Sequence, residues 1–317
     1  MRFFVTSGVR NNKPLFFMLA SFSLLATLFW ITSWFYFYTK YGFSQETLFR
    51  YFFTDSQFPE KIPLSQLLET VHIELFLHSM FLLVLGSILL LSPSLEKLKI
   101  PILSLSFITA FLYVFSDLII YTFGPTYLIL KVISFVAYQT ASGSLVGMVL
   151  FFLFFRKDEG KPQPRKIKKL LLMFSFSILM NALVNLALFT SKMGISPSSV
   201  QTYYLGDPTV FSRPKTLEGL TKILYPHILA VPLYLFVILH LLVFTGTKRR
   251  NLILLSVVAF LFSFTEMMGG LLVRFLHPSF SLLKLVSFAL TEIFLFYASF
   301  RLMRESLRKE TYPVLYI

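Results

Sequence analysis

No cysteine occurs in the 317-residue chain. That excludes disulfides, Cys-ligated iron–sulfur clusters, covalently attached c-type haem and thiolate zinc sites. Charge is scarce too. Asp, Glu, Lys and Arg make up 14% of the residues, while 56% are hydrophobic and 18% aromatic. Soluble domains carry about 25% charged residues. With a mean hydropathy of +0.73, no water-soluble core could take in this much apolar surface. An ordinary soluble enzyme is excluded, and the bilayer is the solvent. Soluble catalytic signatures are missing as well: there is no Walker loop, dinucleotide fingerprint, His-Glu-x-x-His or Gly-x-Ser-x-Gly elbow. Gly42-Phe43-Ser44 and Gly194-Ile195-Ser196 lack a nearby base and read as turns.

What the chain does have is long apolar runs. Eight can cross about 30 Å of hydrocarbon, near residues 15–39, 66–92, 101–122, 127–155, 170–190, 223–246, 252–275 and 280–303. The first follows Arg2, Arg10 and Lys13, as a signal peptide would. It is too long for a signal core, lacks a small-residue cleavage site and ends in an aromatic belt of Trp34, Tyr36 and Tyr38, so it reads as a retained span. The net charge is +14, unevenly placed: 19 Lys and Arg fall on the side of the termini, seven of them between Arg156 and Lys169, against 8 on the other. This bias predicts both termini in the cytoplasm, and the expected location is a bacterial inner membrane. The basic excess then serves topology and anionic-lipid contact, with no nucleic-acid partner.

The chain also repeats itself. Residues 117–135 align without gaps on 270–288 at an offset of 153, matching Pro125 to Pro278, Lys131 to Lys284, and Ser134-Phe135 to Ser287-Phe288. Upstream, Gly42, Ser44, Tyr51, Phe52 and Asp55 answer Gly194, Ser196, Tyr203, Tyr204 and Asp207 at an offset of 152. With a short insertion, Val71-His72-Ile73 falls on Pro226-His227-Ile228. The expected fold is all-α and integral to the membrane: eight transmembrane helices as two four-helix bundles in parallel repeat. The first module covers 1–155 with an outer loop at 40–65, a basic cytoplasmic linker covers 156–169, and the second module covers 170–317 with an outer loop at 191–222.

Tyr203-Tyr204-Leu205-Gly206-Asp207 precedes a Lys-containing polar stretch, and His72-Ile73-Glu74-Leu75-Phe76 opens a span. On these residues the repeat unit resembles a bacterial family of duplicated four-span membrane modules. That family's pattern runs Tyr-Tyr-x-Gly-acid, a Lys-containing polar stretch, then His-x-His-Leu-Phe opening a span. The resemblance covers most of both copies and implies the fold, but no particular activity. Here Glu74 replaces the second His, and the second copy reads His227-Ile228-Leu229-Ala230, so a paired-His site is not carried over.

An ionisable side chain within a span costs about 2.5–3.5 kcal/mol on insertion scales and is a functional candidate by default. Glu69, His72, Glu74 and His78 lie in the second span, with an expected placement in its outer half. Asp117 lies in the third span, Lys131 in the fourth, His227 in the sixth, Glu266 in the seventh, and Lys284 and Glu292 in the eighth. Asn181 and Asn185 share a face and read as helix-packing glue. Glu69 and His72 have the Glu-x-x-His spacing of di-iron bundles, but the second copy lacks the matching motif. His72 and His78 point about 240° apart and cannot share a metal.

The metal reading that survives is one b-type haem held by His72 and His227 at matching positions. It would pass electrons between a quinone in the bilayer and a periplasmic partner or other complex subunits, with Glu69 orienting the imidazole or taking protons from quinol, and Glu74 and His78 supporting a neighbouring polar site. The plain alternative is two inert interfacial His residues. A second function class is a proton-coupled carrier using Asp117, Lys131, Glu266, Lys284 and Glu292 as an interior relay; a third is a non-catalytic scaffold subunit. Lys131 and Lys284 are expected to snorkel toward headgroups; the alternative is pairing with the interior acids.

Overall fold

The computed structural model describes residues 13–54, 60–91, 96–155, 164–243 and 245–308. Among these the chain is helical, with one isolated bridge between Asp207 and Ser212. Arg2, Arg10, Asp55, the 156–163 part of the basic linker and Lys309 lie outside the described residues.

The chain divides into two compact units, 1–177 and 178–308. In the first run α1 (Lys13–Lys40), α2 (Gln45–Phe53), α3 (Leu64–Leu91), α4 (Glu96–Phe123), a 3-10 turn at Pro125–Tyr127, α5 (Leu128–Phe155) and the first part of α6 (Pro164–Met193). The second holds the rest of α6, α7 (Pro197–Leu205), a 3-10 turn at Pro208–Val210, α8 (Leu217–Val243), α9 (Arg249–Phe275) and α10 (Phe280–Leu307). The division falls inside α6, not at the linker, because the start of α6 packs in the first unit: Phe176 meets Phe111 edge-on at 5.1 Å.

Eight of these helices are long and apolar enough to cross a membrane. At 1.5 Å per residue, a 28-residue helix such as α3 spans about 42 Å, enough for the hydrocarbon core and both interfaces. Lipid offers the backbone no hydrogen bonds, so helices are the form such runs take. Hydroxyls in the spans turn back onto their own helix, as Ser79 Oγ does to the Leu75 carbonyl at 2.5 Å and Ser142 Oγ to that of Tyr138 at 2.7 Å.

Both expected outer loops contain a nine-residue helix, α2 and α7. Gly42 (φ +67°) and Gly194 (φ +70°) end the preceding span in left-handed geometry. Ser44 then caps α2 through the Thr47 N–H at 3.2 Å, and Ser196 caps α7 through the Ser199 N–H at 3.1 Å. The repeat extends to side chains. Phe37 stacks on Phe135 in the first unit at 3.8 Å and 14°, and Phe189 stacks on Phe288 in the second at 3.8 Å and 12°.

Candidate functional site

In the first unit, the start of α5 carries Lys131 inward. Its side chain is fully buried and lies 2.6 Å from Asp117 Oδ1 on α4 and 3.8 Å from Glu74 Oε2 on α3. Nζ also donates to the Tyr113 carbonyl at 3.1 Å and sits 3.9 Å from the centroid of the Tyr113 ring. The expected snorkelling is therefore wrong for Lys131. The cause is the partner on the inner side: Asp117 offers a carboxylate within reach, and the ammonium lies 4.7 and 3.9 Å from the centroids of the Tyr41 and Tyr113 rings.

Glu74 is the hub. Lys40 Nζ, at the end of α1, lies 3.3 Å from its Oε1, and the Tyr41 and Tyr113 hydroxyls donate to the same oxygen at 3.3 and 3.5 Å. Tyr41 also donates to Asp117 Oδ2 at 3.1 Å. Burial first, then the two carboxylates beside it, push the Tyr41 hydroxyl well above its ordinary value, so it stays a donor. Two ammoniums face two carboxylates, and the cluster is formally neutral. The Lys40 side chain keeps 16% exposure, which makes it the cluster's outlet. A cavity of about 540 Å³ opens at this end of the unit, between α2 and the Pro125 turn, lined by Glu46, Phe49, Arg50 and Leu128 among others.

His78 continues the line one turn deeper on α3. It lies at the midpoint of the 28-residue helix. Its Nδ1 is 2.9 Å from the Tyr138 hydroxyl, and the stacked Tyr113 and Tyr138 rings flank it. A cavity of about 10 Å³ touches His78, Ser79 and Ser177, at the lower limit for a single water. Glu69 and His72 are half-buried on α3, nearer the α2 end.

The second unit holds the same frame with fewer charges. Lys284, equivalent to Lys131, is also buried rather than snorkelling. Its Nζ donates to the Glu266 carbonyl at 3.0 Å and meets Glu266 Oε1 at 2.7 Å. Glu266 is equivalent to Tyr113, while the position of Asp117 is taken by Gly270. The acid has thus moved one helical turn and still reaches the lysine. At Gly270 a Cβ would lie 2.8 Å from the Tyr204 ring, which fills the vacated space. Burial pushes the Tyr204 hydroxyl up to about 12. Elsewhere in the unit, Asn185 on α6 donates to Glu292 Oε1 on α10. His227 is half-buried on α8, with Nδ1 2.7 Å from the Ile223 carbonyl of its own helix.

The Tyr-Tyr-x-Gly-acid motif has a physical reading. Tyr203 lies under Lys215, with Nζ 4.5 Å from the ring centroid, and Tyr204 packs against Gly270. Gly206 turns the chain at φ +80°, where a Cβ would lie 2.5 Å from the Ser212 carbonyl. Asp207 caps the next turn by accepting from the Thr209 N–H at 2.8 Å and the Thr209 hydroxyl at 2.7 Å, which holds its carboxyl below the usual range.

This doubled frame has a counterpart among known proteins. A family model described as a transmembrane helical domain matches residues 42–160 and, a second time, residues 194–313. The chain belongs to this family of transmembrane helical domains. The two matches cover both repeats, and each contains a buried lysine, Lys131 or Lys284, paired with acid. No curated protein and no solved structure matches the chain. Among the described residues no three His, Asp or Glu side chains gather as a metal site.

Sequence reading had singled out Glu74, His78, Asp117 and Lys131, and the fold brings all four together. It missed Lys40, Tyr41, Tyr113 and Tyr138. Lys40 stands at the edge of the 40–65 loop, and its match to Lys192 at the repeat offset of 152 is the sequence signal that marks it.

Proposed function

We infer that the protein is a proton-coupled membrane carrier and that the buried network of the first unit is its proton-handling site. One observation carries this reading. The second unit fastens the equivalent helices with one lysine and one acid, whereas the first adds Glu74, Lys40, Tyr41 and a His78–Tyr138 pair to the same frame. Helix fastening alone leaves that surplus unaccounted for. Lys40, Glu74, Tyr41, Asp117 and Lys131 are joined by contacts of 2.6 to 3.8 Å, and the hydrogen-bonded His78–Tyr138 pair lies beside them against the Tyr113 ring. The cavity beside α2 would serve as the vestibule for the solute. In this reading both termini are cytoplasmic, and reporter fusions to the 156–169 linker test that. The function itself is tested in liposomes holding a pH-sensitive dye: wild type acidifies or alkalises the lumen under an imposed potential, and Glu74→Gln stops it. No wild-type flux under any imposed gradient, with or without added solutes, would end the proposal.

A b-type haem held by His72 and His227 is the second reading. His227 Nδ1 lies 2.7 Å from the Ile223 carbonyl of its own helix, which leaves Nε2 as the ring nitrogen available to another partner. It would serve electron transfer with a quinone and a periplasmic partner. A reduced-minus-oxidised spectrum lacking a haem band, or a band unchanged in His72→Ala plus His227→Ala, rejects it.

A further inference from the structure

A buried acid in the second unit stands apart from both lysine pairs. Glu292 is 3% exposed, and no lysine, arginine or histidine among the described residues pairs with it. One carboxyl oxygen accepts from Asn185, and the other, Oε2, is buried with no hydrogen-bond partner. The groups facing it come from three helices. They are the Asn185 amide on α6, Tyr234 on α8, and Glu266 on α9, whose own charge is matched by Lys284. None of them brings a positive charge to Glu292.

The repeat supplies the comparison that identifies the site. At the offset of 153, Glu292 corresponds to Gln139, and at 152 Asn185 corresponds to Ser33. In the first unit Gln139 Nε2 donates to Ser33 Oγ at 2.5 Å. The frame at this position therefore accommodates a neutral amide bonded across to the first helix of the module. A protonated carboxylic acid has nearly the same shape and the same zero charge as that amide; a carboxylate would carry a buried charge that no facing group balances.

We propose that Glu292 is a proton-binding site: the carboxyl holds a proton on Oε2 while Oε1 accepts from Asn185, inside the second unit and independent of the Glu74 network. The proton taken up forms an O–H bond and is returned to solvent as H⁺ when the site opens, so no other reactant is involved. The site exists whether or not the first unit carries protons.

Infrared spectra of the full chain in lipid at neutral pH test this directly. The difference between wild type and Glu292→Gln should contain the carbonyl band of a protonated carboxyl, and no ionised-carboxylate band. Glu292→Gln should also fold and melt like wild type, since the amide reproduces the neutral acid, whereas Glu292→Lys should not accumulate in the membrane. An ionised-carboxylate band in the difference spectrum would overturn the proposal. So would a Glu292→Gln chain that fails to fold, because it would mean that the site requires the charge.

Discussion

Replacing Lys131 with Met keeps the unbranched shape and most of the volume of the side chain but deletes its charge. Two fully buried carboxylates, Asp117 at 2.6 Å and Glu74 at 3.8 Å, lose their central cation. Glu74 retains Lys40 and Tyr41, while Asp117 retains only the Tyr41 hydroxyl. Removing one partner of a buried pair costs about 3–5 kcal/mol, because the other charge is left uncompensated. The volume-conserving swap adds less than about 1.5 kcal/mol. In reversible unfolding in mixed micelles, followed by helical circular dichroism, Lys131→Met should shift the folding equilibrium by roughly 100- to 4,000-fold. Adding Asp117→Asn to Lys131→Met should recover more than half of the loss, since the stranded charge is then gone. The same change at Lys284 should cost less, because its partner Glu266 keeps 26% of its side chain exposed. A Lys131→Met chain within about 1 kcal/mol of wild type, the range of surface ion pairs, would refute the reasoning and place Lys131 in water.

Three further outcomes follow from the duplicated frame. Asp117→Gly combined with Tyr113→Glu rebuilds in the first unit the arrangement that the second uses, and should melt higher than Asp117→Gly alone; equal melting temperatures would deny that the acid can move by one turn. Gly270→Ala puts a methyl 2.8 Å from the Tyr204 ring and should cost about 1–3 kcal/mol, while Gly147→Ala, with open space at its Cβ, should be neutral or better; a thermal melt of each is sufficient. The Asp207 carboxyl is held below its ordinary value by the Thr209 bonds, so its contribution to the 207–212 turn is present above the usual carboxylate range and is lost as pH falls through the lowered value. The protection factor of the Thr209 amide, its exchange rate relative to the intrinsic rate at each pH, should fall between about pH 6 and about pH 2, and a constant protection factor would contradict the cap.

The eight spans were legible because long apolar runs have few other uses, and α10 begins at Phe280, where its run was expected to begin. The duplication was legible at Gly42/Gly194, Ser44/Ser196 and Lys131/Lys284, residues whose chemistry a turn, a cap or an ion pair demands. What could not be read was which way the lysines face. A membrane helix is apolar on all sides, so the sequence does not mark the buried face, and a lysine six residues after a proline fits both snorkelling and pairing. The acid partners were obscured for a related reason. Asp117 aligns with Gly270, so the pair looked unduplicated until the fold brought Glu266, one turn earlier on α9, to the same ammonium. Tyr41 and Tyr113 carry no mark that separates them in the sequence from the other aromatics, and only the packing singles out their hydroxyls.

The central claim is that the first unit does something with its extra charges that the second does not. Proton flux into liposomes containing Glu74→Gln, measured beside flux with Glu266→Gln at matched protein content, tests it most directly. The account predicts that Glu74→Gln abolishes the flux while Glu266→Gln lowers thermal stability and leaves the flux per folded molecule near wild type. Equal flux in the two variants, or loss only in Glu266→Gln, would contradict it.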